Sequence, residues 1–330
     1  MACQRRQAVI RAGSAQFRSP ETLRPFRPFI TSCIRAKTTS CCVLGHSSLS
    51  PQSSTVVAAE KPCAGTPAVR ALEFIRRMRG GSRPWLVACD DAAYYVVKLR
   101  QNPQHVRVLA NELLGALLSR LLRVPVASPA FIDVPSELAP SPPGRLDEGD
   151  SVIAPGVHFG SRFPGDPAES PVVEFLPDRL LRRVRNLTAA FCGSLVLDLW
   201  TCNCDQRQVI FHRIAAVRGA SYEVFLIDNG FCFNDGAWSF PELPNRHFYP
   251  RRAVYEGVRG FDSFEPFLSK IENLNPTELE ECAKAVPSDW CDGEPDGPYR
   301  LMEELYARRR GLRQALTGAR KSDLRPFPNW

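Results

Sequence analysis

A chain of 330 residues with 44% hydrophobic and 23% charged residues has the composition of a globular protein, with material for one large domain or two small ones. No run approaches eighteen uninterrupted apolar residues, which argues against a transmembrane helix. The net charge of +7 would suggest nucleic acid or an anionic membrane if it were spread over the fold, but residues 1–60 hold eight Lys or Arg against Glu21 and Glu60, leaving about +1 for the rest, so neither partner is expected.

Residues 1–66 are rich in Arg, Ser, Thr, Pro and Cys and keep no period of 2 or 3.6, so they read as a disordered basic extension. Its composition suits either a non-functional upstream run or a mitochondrial-type targeting segment, and no charged segment leads into an apolar one as in a secretory signal. Of the twelve cysteines, Cys3, Cys33, Cys41, Cys42 and Cys63 lie in or just after this extension and the rest sit singly apart from Cys202 and Cys204, which favours reduced thiols and a cytoplasmic location over a disulfide framework.

Order begins at Pro67. "AVRALEFIRRMRGG" is amphipathic and runs into Gly80-Gly81-Ser82, and "PWLVACDDAAYYVVKLR" reads as two strands about a turn at Asp90-Asp91. "HVRVLANELLGALLSRLLRV" has apolar residues at Val106, Leu109, Leu113, Leu117 and Leu121, the spacing of an amphipathic helix. An extended "PVASPAFIDV" leads to the Pro-rich "PSELAPSPPGRLDEGD", expected to link two lobes. Then come a short strand in "SVIAPGVHFGSRFPGD", a helix from Asp178, its expected N-cap, to Leu199, and a hairpin of "QVIFHRI" and "SYEVFLID" about Arg218-Gly219. Helical patterns occupy 262–272, 276–286 and 297–316. The expected fold class is α+β in two lobes: a small β-rich lobe at 67–135, a loop at 136–150, a larger, mostly helical lobe at 151–320 and a tail at 321–330.

Four residues stand out chemically. Lys98 ends the apolar run "YYVVKL", where a charge must either snorkel to water or find a partner. Glu112 interrupts a leucine-rich helix fourteen residues on; alone it reads as solvated, but the two together suit an ion pair that holds an ammonium toward nucleotide phosphates. Asp228 closes the hairpin before Asn229-Gly230, either as the start of a tight turn or as a carboxylate able to hold Mg²⁺. Asp205 lies between a helix and the hairpin that delivers Asp228, so both acids are expected to face one pocket, one handling a hydroxyl proton and the other a metal. A zinc site on Cys202, Cys204 and His212 lacks a second cysteine pair at finger-like spacing, and no G-x-S-x-G points to a hydrolase.

With these residues in view, the sequence resembles the HipA-like kinases, a divergent branch of the protein-kinase-like fold related in architecture to the phosphatidylinositol 3/4-kinases. The resemblance spans about residues 68–318 and rests on "YYVVKL", "LANELLGALLSRLLRVPV", "GVHFGSRF", "LDLWTCNCDQRQVIF", "FLIDNGFCF" and the late "VPSDW" and "LYARRRGLRQAL". It is similar to short bacterial members that lack the N-terminal subdomain of the full toxin. The resemblance implies a bilobal kinase that uses ATP and Mg²⁺ to phosphorylate a protein Ser or Thr hydroxyl, or itself. In that scheme Lys98 contacts ATP phosphates, Glu112 anchors it, Asp205 is the catalytic-loop acid and Asp228 the metal-binding acid. A toxin role would further require an antitoxin-like partner. Two departures are visible: Ile210 stands where the family pattern places a metal-binding asparagine, with Asn203 or Gln208 as substitutes, and no G-x-G-x-x-G precedes Lys98. They leave a second reading, a catalytically weak nucleotide-binding module that acts by interaction.

Overall fold

A computed structural model describes residues 67–138, 153–169, 172–215, 220–243 and 247–330. The extension 1–66, most of the Pro-rich loop and the hairpin turn at Arg218-Gly219 lie outside the described residues. Strands β1 (Val69–Arg77), β2 (Trp85–Cys89), β3 (Tyr94–Lys98), β4 (Pro129–Val134) and β5 (Gly156–Arg162) close a small barrel in the order β1-β2-β3-β5-β4. The β2–β3 turn falls at the expected acids: Asp91 accepts the Ala93 amide at 3.1 Å and the Tyr95 hydroxyl at 2.7 Å, an Asx-type turn that sets the register Trp85↔Val97. Val87, Tyr95, Val97, Ile132 and Val134 fill the barrel.

One boundary needs correction. Residues from 151 onward were expected in the helical lobe, yet β5 pairs antiparallel with both β3 and β4. The Pro-rich stretch therefore lies between two neighbouring strands of one sheet and does not link lobes. Long-range pairing of this kind leaves no local mark in the sequence.

Helix α1 (Val108–Leu122) buries thirteen of its fifteen residues, more than an amphipathic stripe requires. Leu114, Leu118 and Leu122 make its second face apolar as well, so the helix lies inside, and its buried polar residues Asn111, Glu112 and Ser119 are hydrogen-bonded there. The helix expected over 178–199 is broken. Helix α2 (Asp178–Leu181) stops, and α3 (Leu187–Thr201) begins after Asn186 in the left-handed region at φ 52°. Between them Val184 bridges to Tyr222, with Arg185 N–H donating to Tyr222 at 2.9 Å and Tyr222 N–H to Arg183 at 3.0 Å; pairing with a distant strand outweighs helix continuation. Asp178 is not the N-cap: Pro177 occupies that position, and the Asp178 carboxylate pairs with Arg251.

Strands β7 (Gln208–Ala215) and β8 (Ala220–Ile227) form the expected hairpin, joined at its edge by β6 (Val172–Val173). Helices α4 (Glu265–Glu272), α5 (Pro276–Lys284), α6 (Gly297–Arg308) and α7 (Leu312–Arg320) follow, the pattern over 297–316 being split by a 3₁₀ turn at Arg309–Gly311. Asn275 starts α5 by accepting the Thr277 amide at 3.1 Å in a capping box with Glu278. The expected tail 321–330 is built into the core: Phe327 is buried against Phe248, Tyr255, Phe264 and Trp330. Among the described residues no helix is long and apolar enough to cross a membrane, and Cys89, Cys192, Cys202, Cys232 and Cys291 are free thiols.

Candidate active site

Strand periodicity places Val96 and Lys98 on one face of β3, and both line a cleft of about 890 Å³. Opposite them the β1–β2 turn contributes Gly80 and Ser82, and the hairpin contributes Gln208, Ile210, Ile227 and Asp228. The turn is closed by Met78 N–H donating to Pro84 at 2.8 Å and Arg83 N–H to Gly80 at 3.1 Å.

The Lys98 ammonium is buried and forms ion pairs with two carboxylates, Glu112 on α1 and Asp228 beyond β8, the latter at 2.8 Å. Burial alone would lower the lysine pKa, but the two acids outweigh it and hold the ammonium above its ordinary range. Burial would raise Asp228, and Lys98 reverses that so that the carboxyl titrates below its usual value. Burial pushes Glu112 up, opposed by Lys98.

Glu112 also fixes the turn after β8, accepting the amides of Asn229 and Gly230 at 3.0 Å each. Its neighbour Asn111 donates to the carbonyls of Gly230, Cys232 and Asp235 at 2.8–3.0 Å and accepts the Trp238 indole N–H at 2.7 Å. Two consecutive polar residues of α1 thus hold residues 229–238. The fit is close: a Cβ on Gly230 would lie 2.7 Å from Val108 Cγ2, and one on Gly115 would lie 2.5 Å from Asn229 Cβ. Asn229-Gly230 does not open a returning strand; it seats the chain on α1. Asp228 itself adopts φ 59°, in the left-handed region, with its second carboxylate oxygen accepting from the Gln208 amide at 2.9 Å.

Asp205 is placed differently from the expectation that both acids face one pocket. It is exposed on the loop after α3 and lines a pocket of about 490 Å³ with Cys204, Gln206 and Tyr255, whereas Asp228 lines the cleft. Gln208 is three positions along the chain from Asp205, so their Cα atoms lie within about 11 Å of each other. The loop is held by Cys204 N–H donating to Phe231 at 3.0 Å and by Phe233 and Asn234 amides donating to Thr201 and Cys202. Asn203 is not available to the cleft: it is buried, donating to Asp198 at 3.0 Å and accepting the Asp205 amide at 3.2 Å. Of the two proposed substitutes, Gln208 reaches the cleft, and Ile210 lines it as an apolar residue. Cys202 donates its thiol to the Pro241 carbonyl at 3.1 Å.

Beneath the loop sits an ion pair that sequence reasoning missed. Arg207 is buried and donates in bidentate fashion to Asp198 of α3, with its other arm on Asn229 Oδ1 at 2.8 Å and the Ile227 carbonyl at 3.2 Å. Burial would lower the arginine pKa, and Asp198 more than compensates. One guanidinium therefore joins α3, the Asp205 loop and the Asp228 turn. In the polar run "NCDQRQV" the only available signal was an arginine nine residues after an acid on a strongly apolar helix.

Among the described residues no cluster of three His, Cys, Asp or Glu could hold a metal ion. Of the carboxylates lining the cleft, Glu112 is buried on Lys98 and two backbone amides and Glu174 is exposed, while Asp228 is partly exposed beside the Gln208 amide. That donor set fits a hard cation such as Mg²⁺, which binds through one or two carboxylates and shares its remaining positions with water and substrate phosphates; it does not suit a closed protein cage.

Comparison with known proteins places these features. The family model described as HipA-like kinase matches residues 71–315. A search of curated protein sequences returned no match. Solved structures similar in fold include a Golgi casein kinase, 12% identical with a TM-score of 0.43 over 78% of this chain and 72% of that one. Another is the Helicobacter pylori proinflammatory kinase CtkA, 11% identical with a TM-score of 0.43 over 74% and 99%. A third is the Golgi casein kinase with Mn/ADP bound, 13% identical with a TM-score of 0.41 over 82% and 74%. With its α+β fold, its small β-rich barrel and its larger helical part, and with the family model covering most of its length, the chain belongs to the HipA-like kinase family.

Proposed function

We propose that this chain is an ATP- and Mg²⁺-dependent kinase that transfers phosphate to a protein serine or threonine hydroxyl, its own included. One observation carries the reading: a lysine held between a helix glutamate and a strand-end aspartate opens onto a cleft of ligand size. Lys98 would neutralise nucleotide phosphates while Glu112 holds it in place from α1. Asp228, with Gln208 beside it, would hold the cation, which when bound supplies charge neutralisation to the phosphates. Asp205 would orient the acceptor hydroxyl and take its proton. Phosphoryl transfer asks for little beyond such positioning and charge stabilisation. Wild type incubated with labelled ATP and Mg²⁺ should label a protein acceptor or itself, and Asp205→Ala should label far less; equal, negligible labelling by both would end the enzymatic reading.

A second reading, a nucleotide-binding module acting by interaction, is favoured by Ile210 in the cleft and by Asn203 being engaged with Asp198. A melting shift with ATP that needs no metal, together with absent turnover, would support it. A strictly Mg²⁺-dependent shift favours the kinase.

A further inference from the structure

The pocket beside Asp205 shares no lining residue with the nucleotide cleft. Its walls are Phe248, Tyr249, Pro250 and Tyr255 on one side and Leu324 and Pro326 on the other. These walls are fixed from behind. Tyr255 is buried, accepts the Tyr249 amide on its hydroxyl at 3.1 Å and packs edge-on against Phe327 at 5.5 Å, while Tyr249 lies 4.7 Å from Phe191. The mouth is open to solvent: Leu324 is 48% exposed, and Asp205, Gln206 and Arg252 are exposed as well. Arg252 makes no ion pair among the described residues, so the pocket combines an apolar lining, an unpaired cation and the Asp205 carboxylate.

We propose that this pocket binds the acceptor, and that the acceptor is a polypeptide segment whose Ser or Thr is flanked by a large apolar residue on one side and an acidic residue on the other. The proposal rests on the kinase reading for the role of Asp205 and adds to it the substrate class. The apolar side chain fills the space between Tyr249, Tyr255 and Leu324. The acidic side chain meets Arg252. The hydroxyl is left at Asp205, within a few residues of the cleft. A pocket of about 490 Å³ that combines an aromatic and aliphatic wall with Asp205, Gln206 and Arg252 at its mouth has room for side chains of a peptide segment lying across it. Residues 324–326 thereby become a specificity element.

The test is direct binding, so it does not depend on turnover. Fluorescein-labelled peptide pools with a central Ser or Thr and one flanking position fixed at a time are titrated against the full-length protein. Wild type should prefer Phe or Leu at one flank by roughly 10- to 100-fold, the span expected for burying one large apolar side chain, and Asp or Glu at the other by about 2- to 5-fold, as expected for an ion pair with the exposed Arg252. Leu324→Asp should abolish the apolar preference, and Arg252→Glu should turn the acidic preference basic. Both side chains are exposed, so folding is not at stake. Affinity for a non-hydrolysable ATP analogue should stay unchanged in both variants. A flat wild-type profile, preferences unmoved by the variants, or lost nucleotide affinity would overturn the proposal. The kinase reading is judged separately, by label transfer in wild type and Asp205→Ala.

Discussion

Arg207 and Asp198 form a fully buried ion pair beneath the loop that carries Asp205, and the same guanidinium reaches Asn229 beyond the cleft aspartate. Removing one partner leaves the other charged in a dry site, which costs about 3–5 kcal/mol. Asp198→Asn or Arg207→Met should lose that much in urea denaturation. Arg207→Lys should not rescue, because an ammonium cannot make the paired bonds to Asp198 and still reach Asn229.

Gly115 should not tolerate a methyl group. Its Cβ would fall 2.5 Å from Asn229 Cβ, a rigid neighbour, so the strain should exceed the roughly 1 kcal/mol of helix propensity gained from alanine. Gly115→Ala should lose about 1–2 kcal/mol and, by displacing the turn after Asp228, should weaken nucleotide binding. Gly318 on α7 has nothing within 4 Å of its Cβ position; Gly318→Ala should gain about 0.5–1 kcal/mol and leave nucleotide binding alone. Paired denaturation curves and nucleotide titrations would check both.

His158 makes stability depend on pH. It is buried on β5, its Nδ1 accepts the Arg100 amide at 3.0 Å, and its Nε2 faces the Ala154 carbonyl at 2.9 Å, which together call for the neutral ring. Burial lowers its pKa from the ordinary 6.5. The unfolded chain therefore takes up the proton first as pH falls. This contribution to stability is full above 6.5, declines through the window below it and levels off once the folded ring is also protonated. His158→Gln cannot take that proton, so the wild-type advantage over it should shrink as pH drops from 7.5 to about 5, as read by thermal melts.

The C-terminal residues should be integral to the fold. Phe327 packs against four aromatic rings, and Phe327→Ala should cost about 3–5 kcal/mol. A loss under 1 kcal/mol in chemical denaturation would show that residues 321–330 are not part of the core.

What was legible in the sequence was what local chemistry decides. The turn at Asp90-Asp91 and helix α1 follow from residues within a few positions of one another, and Lys98 and Glu112 are conspicuous because their neighbours are apolar. The remainder depends on distant partners. Nothing near Val184 breaks a helix; Tyr222 does so from 38 residues away. Arg207 sits in a polar run that reads as solvated until α3 brings Asp198 beneath it. Strand β5 gives no hint that it closes the barrel, and the tail shows its role only when Phe248, Tyr255 and Phe264 surround Phe327.

Asp228 joins Lys98 to the hairpin at the mouth of the cleft. The most direct measurement is the rate of labelled-phosphate transfer from ATP at saturating Mg²⁺ by wild type and by the near-isosteric Asp228→Asn, with folding of both verified by thermal melting. A cleft that works as proposed predicts a fall of at least about 100-fold in the variant. Equal rates in two equally folded proteins would contradict it.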